Sequence, residues 1–230
     1  MLADRLVGPA PSEEDWLDIE ALLETVEPYW QAMLPEDAPN HFMFNIQPDE
    51  HDNVVEFFRE RDVTPPDLKA MVRSRLVEIN GVPITEMSFE AEGMSQRFAE
   101  RDQNLSWAGE LATSNTVIEG EWWTPEEYGQ PLVSLDDEAA QRLGVTLGDE
   151  LTYDIAGERI TVTVDSIRLI DWDSFQPNFF MVVPPGVLEN HAATFIGSVY
   201  VEQDRARMLL DLVHRYPSIT VIDLATIMAQ

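Results

Sequence analysis

The sequence predicts an α+β fold, a split ferredoxin-like sandwich of two βαβ halves interrupted by a small β-rich subdomain. Three observations predict it. A strand, helix, strand pattern occurs near residues 41–79 and returns near 195–222. The intervening stretch changes character and reads mostly as short alternating strands. The implied organisation is an N-terminal helical segment at 1–34, βαβ halves at 35–81 and 195–230, and an insertion at 82–194.

From the N-terminus, Trp16, Ile19, Leu23, Val26 and Trp30 recur at spacings of three and four, the apolar stripe of a helix over Glu13 to Gln31. Ser12 is placed to cap it, and Glu13, Glu14 and Asp15 suit the positive end of its dipole. Pro28 breaks a straight helix, and the run from Pro35 to Pro39 marks a linker. His41 to Gln47 then alternates as a half-buried strand. Val54, Phe57 and Phe58 form one face of a helix beginning near Asp49 to Asp52, Asp62 to Asp67 is a loop, and Val72 to Ile79 is a second strand.

In the insertion, Ser134 is placed to cap a short helix ending at Leu143, with Asp137 in the reciprocal capping position and Gly144 as a left-handed stop. Leu151, Tyr153 and Ile155 alternate with polar residues, as do Ile160, Val162 and Val164, and Ala156-Gly157-Glu158 turns between them. That is a hairpin. Near the C-terminus Phe195 to Val201 is a strand and Asp204 to Tyr216 a helix whose Leu209, Leu212 and Val213 share a face. Asp204 is placed to cap that helix, Pro217 ends it, and Ile219 to Ile222 is the last strand.

Composition narrows the function. The 230 residues are 44% apolar, enough for a sizeable core. The 43 acidic residues against 14 basic ones leave a net charge of −29, with Lys69 the one lysine. Such a field repels phosphates, so nucleic acid is not an expected partner. Cysteine is absent, which removes disulfides and thiolate metal sites. No window holds the uninterrupted apolar run of a membrane span, and the first residues lack the basic and apolar regions of a signal peptide.

No catalytic constellation is legible. His41, His51, His191 and His214 lie far apart without a HExxH pair, no GxSxG elbow occurs, and there is neither a P-loop nor a GxGxxG. Asp171 and Asp173 lack the further oxygen ligands of an EF-hand and are expected to shape a turn. The expectation is a non-enzyme with no catalytic, cofactor-binding or metal-binding residues and no cofactor. Large aromatics concentrate in and around the insertion. Trp122, Trp123, Trp172 and Phe175 are the candidate contacts for a partner or substrate, core burial being the competing reading. Adjacent Trp122 and Trp123 would point to opposite faces of an extended chain.

Four stretches carry a family resemblance: VRSRLVEING (Val72 to Gly81), LSWAGELATSNTVIEGEWW (Leu105 to Trp123), AQRLGVTLGDELTYDI (Ala140 to Ile155) and SIRLIDWDSFQPNFFMVVPPGVLE (Ser166 to Glu189). Together they resemble the second large extracytoplasmic domain of FtsX-like, MacB-type ABC transporter permeases, in the YbbP-like branch. The likeness spans roughly Tyr29 to Gln230. It implies a porter subdomain of two βαβ halves with an inserted sabre-like subdomain, on the periplasmic or extracytoplasmic face of the inner membrane.

The resemblance further implies a role in mechanotransmission: cytoplasmic ATP-driven motion is passed to export or extraction of a hydrophobic or lipid-like compound. The implied partners are a cognate ABC ATPase subunit, reached through transmembrane segments outside this sequence, and a periplasmic protein of lysophospholipase or thioesterase type. The sequence is accordingly expected to be excised from a longer protein, with both ends on one side of the domain. Met1 to Glu27 departs from the family, being acidic where a hydrophobic membrane helix is expected. The alternative is a free-standing extracytoplasmic binding module for a small apolar ligand or a protein partner.

Overall fold

The computed structural model describes residues 38–87, 89, 94–174 and 176–223. The expected helix over Glu13 to Gln31 and the candidate contact Phe175 lie outside these residues. In chain order the elements are β1 (His41–Ile46), α1 (His51–Arg59), β2 (Lys69–Ile79), β3 (Val82–Pro83), α2 (Met94–Glu100), β4 (Asp102–Trp107) and β5 (Asn115–Gly120). There follow β6 (Leu132–Asp136), α3 (Asp137–Leu143), β7 (Glu150–Ile155), β8 (Glu158–Ile170), β9 (Met181–Val183), β10 (Thr194–Val199), α4 (Arg207–Arg215) and β11 (Thr220–Asp223). The fold class is α+β, with few helices and a sheet-rich core.

The described residues divide into two compact units. The first holds residues up to Lys69, the stretch Trp172–Pro177, and those from Thr194 onward. Here β1 is the middle strand, antiparallel to β10 on one side and to β11 on the other. The path β10, α4, β11 therefore crosses over β1 and forms a split βαβ. Both helices bury their apolar stripes among Met43, Ile46, Val199 and Val221, with Val54, Phe57 and Phe58 coming from α1 and Met208, Leu209 and Leu212 from α4. Val213 packs at the margin of this core.

The cap assigned to Asp204 is corrected. A 3-10 turn at Gln203–Arg205 intervenes, and α4 starts after Ala206 with no side-chain cap. A tighter turn at a helix entrance closes the first backbone bonds itself and leaves the capping oxygen out of register.

The second unit, Ala70–Asp171 with Asn178–Ala193, is organised around a closed ring of strands. β2 pairs with β4, β4 with β9, β9 with β6, β6 with β8, β8 with β7, and β7 again with β2. β4/β9 and β6/β8 are parallel and the other neighbours antiparallel. This is a six-stranded barrel, and ring closure satisfies strand edges that an open sheet of this length would expose. Leu76, Leu105, Leu135, Leu151, Tyr153 and Met181 are among its buried residues.

The barrel corrects two expectations. Val72 to Gly81 was expected to complete the first βαβ half, but from Ala70 onward β2 belongs to the barrel unit, where β4 and β7 are its partners. The insertion was expected to hold one short helix, and it contains α2 as well as α3. The cap assigned to Ser134 is also corrected. Ser134 lies within β6, buried, and accepts a hydrogen bond from the Ser166 hydroxyl at 2.8 Å. Asp136 caps α3 instead, accepting from the Ala139 N–H, and Asp137 accepts from Gln141. Gly144 is the left-handed stop, at φ 67°.

The β7/β8 hairpin forms as the alternation predicts. Its turn holds Ala156 at φ 53° and Gly157 at φ 92°, the double left-handed pattern of a type I′ turn. Alanine is strained there by its Cβ, whereas asparagine tolerates the conformation. Ala156→Asn is expected to raise stability by about 0.5–1 kcal/mol, read as a higher urea midpoint with an unchanged slope.

Candidate functional site

The aromatic surface of the barrel unit is built from three loops. β5 ends at Gly120, whose φ is 73° and where a Cβ would lie 2.1 Å from the Asp165 carbonyl oxygen. Only glycine lets the chain pass that carbonyl. The next residues leave extended pairing, and Trp122 and Trp123 turn side by side, with ring centroids 3.9 Å apart and planes inclined at 32°. Their indole N–H groups donate to consecutive carbonyls of one loop, Trp122 to Gly109 at 3.0 Å and Trp123 to Ala108 at 2.8 Å. The opposite faces of an extended chain do not arise here, because residues 121–124 are not a strand and both N–H groups bond to the same loop.

Thr124 then starts a short 3-10 turn over Pro125–Glu127. The Glu127 carboxylate accepts from the Thr124 N–H at 2.8 Å and from its hydroxyl at 3.0 Å. That closure presents Tyr128, 41% exposed. Its hydroxyl covers Gly109 so closely that a Cβ there would lie 2.4 Å away. The Gly129 N–H donates to the Pro185 carbonyl at 2.7 Å and brings in the third loop. Trp123 is buried at 3% exposure, while Trp122 is half-buried and Tyr128 forms the open edge. Tyr128 was not singled out by the sequence reading, and its place two residues before Gln130 in a polar turn carries no distinctive signal.

Charge surrounds this surface. Hydrogen bonds from the Thr124 backbone and hydroxyl hold the Glu127 carboxyl below its ordinary value. The Asp165 carboxyl is pushed up, first by partial burial and then by the charges of Glu127 and Glu121. A raised folded value means the native state takes up the proton before the unfolded chain does. This contribution to stability therefore grows as pH falls through the folded value toward the ordinary 3.8, and it is unfavourable at neutral pH. Asp165→Asn is expected to raise neutral-pH stability by less than about 1 kcal/mol and to flatten the acid side of a melting-temperature profile against pH.

The other sequence-predicted residues fall elsewhere. Trp172 is half-buried in a 3-10 turn, Trp172–Ser174, within the other compact unit. Asp171 is exposed, and its backbone N–H donates to the Ser114 carbonyl at 2.8 Å. His41 is buried beside Asn40, 2.7 Å away, and desolvation lowers its pKa while Asp223 opposes that shift. His51 sits 2.8 Å from Asp52, and His191 3.8 Å from Glu158. Among the described residues no three His, Asp or Glu side chains converge as a metal site.

A buried charged pair escaped the sequence reading. Arg168 in β8 faces Asp136 in β6 across parallel pairing, and Arg168 is fully buried. Its guanidinium donates to the carbonyls of Ser134, Phe179 and Phe180. It thereby ties the return of the DWDSFQPNFF stretch to the barrel. Burial pulls the Arg168 pKa down to about 10, against the pull of Asp136. The signal was present in the alternation of Val162, Val164, Ser166 and Arg168, all buried.

Comparison with known proteins adds a likeness in sequence. No family model matches the chain, yet it is homologous to a stretch of an ABC transporter permease. The relative is a protein of Escherichia coli (strain K12) named "Uncharacterized ABC transporter permease YbbP", 30% identical over 201 residues, or 87% of this chain and 24% of that protein. The chain thus spans about a quarter of the length of the relative it matches. Among solved structures, a domain of a Porphyromonas gingivalis protein assigned as a permease is 13% identical, with a TM-score of 0.31 over 82% of this chain and 83% of its own. No helix among the described residues is long and apolar enough to cross a membrane.

Proposed function

We propose that this chain is the extracytoplasmic domain of an FtsX-like, MacB-type ABC exporter permease. It is non-catalytic itself and passes ATP-driven motion on to the export or extraction of a hydrophobic or lipid-like compound. The observation that carries the reading is the 30% identity to the E. coli permease over 87% of the chain. A geometric feature supports it: His41 at the start of β1 pairs with Asp223 at the end of β11. Entry and exit strands lie side by side, as a domain suspended between two membrane helices requires. In this reading the unit of β1, α1, β10, α4 and β11 carries the motion, which is a rigid-body displacement of packed parts. Trp122, the half-buried member of the adjacent tryptophans, supplies a contact to the substrate or to a thioesterase-like partner, and an ABC ATPase works on the cytoplasmic side.

The test uses the full-length permease with its ATPase in vesicles containing a fluorescent lysophospholipid. Replacing this domain by a flexible linker is expected to leave ATP hydrolysis and abolish lipid extraction. Extraction that persists without the domain would overturn the reading. For location, a cysteine introduced at exposed Thr116 reports directly once any cysteine elsewhere in the full-length protein is replaced. Labelling of intact cells by a membrane-impermeant maleimide is expected, and labelling only after lysis would contradict the extracytoplasmic assignment.

A further inference from the structure

β5 lies outside the barrel ring, and among the described strands it pairs with β8 alone. None of its six residues is buried. A strand normally sets one face on a core, and one that does not is held by its ladder alone. Nevertheless β5 holds three strand-forming residues in a row, of which Thr116 pairs with Leu169 and Val117 with Arg168, while Ile118 falls at a slip in the register. Ile118 is 44% and Leu169 50% exposed. Among the described residues β5 is thus an edge arm on β8, which β6 flanks on its other side over Ser166 to Arg168, and its outward edge offers backbone groups and side-chain area to an added strand.

Charge selects the occupant. Glu119 and Glu121 are exposed at the end of the arm, and Asp165 lies beside Gly120, its carboxyl pushed up first by partial burial and then by the charges of Glu127 and Glu121. A second copy of this chain brings a net charge of −29. The chain's own first 37 residues carry ten acids and a single arginine. Both are repelled by the acidic end of the arm. We propose that β5 is a docking edge for an extended, cationic segment of a partner protein, which adds to the arm as a further strand. This inference does not depend on the transport reading.

The competing reading is an edge protected by its own irregularity. The ladder slips between Val117 and Glu119, and bulges and charges are common defences of exposed edges. Amide hydrogen exchange at Asn115 to Gly120 separates the two in the 230-residue chain. One probe is a short peptide alternating Lys and Val, and the other its Glu/Val counterpart.

The Lys/Val peptide at ten times its Kd is expected to slow the outward β5 amides about tenfold, and the Glu/Val peptide to leave them unchanged. In the exposed double variant Glu119→Lys/Glu121→Lys the preference is expected to reverse. The charge reversal alters no buried group, so it tests the edge without unfolding it. Slowing by neither peptide, or equal slowing by both, would overturn the proposal. So would protection that rises with protein concentration alone, which would mark the edge as a self-association surface.

Discussion

Replacing Arg168 with methionine is expected to lower the unfolding free energy by about 3–5 kcal/mol, the cost of breaking a buried ionic arrangement from one side. The guanidinium is the donor to the Ser134, Phe179 and Phe180 carbonyls, so its removal leaves buried acceptors short of partners. It also leaves Asp136, 3% exposed, without the opposite charge that favours its ionised form. Burial already pushes the Asp136 carboxyl above its ordinary value, with the Ala139 N–H and Arg168 opposing the shift. Removing the arginine should push it further.

Asp136→Asn added to Arg168→Met is expected to restore part of the loss. Asparagine keeps the helix cap on α3 but carries no charge. Arg168→Lys should fall between, since an ammonium cannot span three carbonyls as a planar fork does. Denaturant midpoints of these variants, of Asp136→Asn alone and of the wild type measure the coupling. A double variant no more stable than the arginine variant would show that the backbone bonds, and not the charge pair, hold the structure.

Trp123→Ala is expected to cost about 3–5 kcal/mol, in the range for truncating a buried large aromatic, because its ring is 3% exposed and its N–H is bonded to Ala108. Trp122→Ala is expected to cost clearly less, as its ring is only half-buried. The adjacent tryptophans thus separate two roles. Trp123 seats the loop on the barrel, while Trp122 and Tyr128 form its outward aromatic surface. If Trp122 contacts the cargo, Trp122→Ala should reduce lipid extraction by the full permease while thermal stability changes little. Equal melting losses for the two variants would place both rings in the core and remove Trp122 from the contact surface.

Much of the secondary structure was legible because its causes are local. Alternation marked the β7/β8 hairpin, and Ala156-Gly157 marked its turn. The stripe Val54, Phe57 and Phe58 marked α1, and Gly144 marked the end of α3. Errors arose where one element met another. Ser134 looked like a cap because a serine ahead of an acidic turn fits that role, yet it belongs to a strand whose pairing consumes it. At the aromatic site, composition pointed to Trp122 and Trp123, but their common orientation depends on the Ala108 and Gly109 carbonyls, far back along the chain.

The sequence by itself determined the α+β class, the faces of the helices, the acidic charge that repels phosphates and the kinship with a permease. Periodicity, turn chemistry, charge and identity are all written residue by residue. Only the tertiary structure decided that β2 is a stave of a closed barrel, that Arg168 is buried against Asp136, and that β5 stands as an arm with no buried face. A strand's preference for being extended is local, but its choice of neighbour is made through contacts distant in sequence.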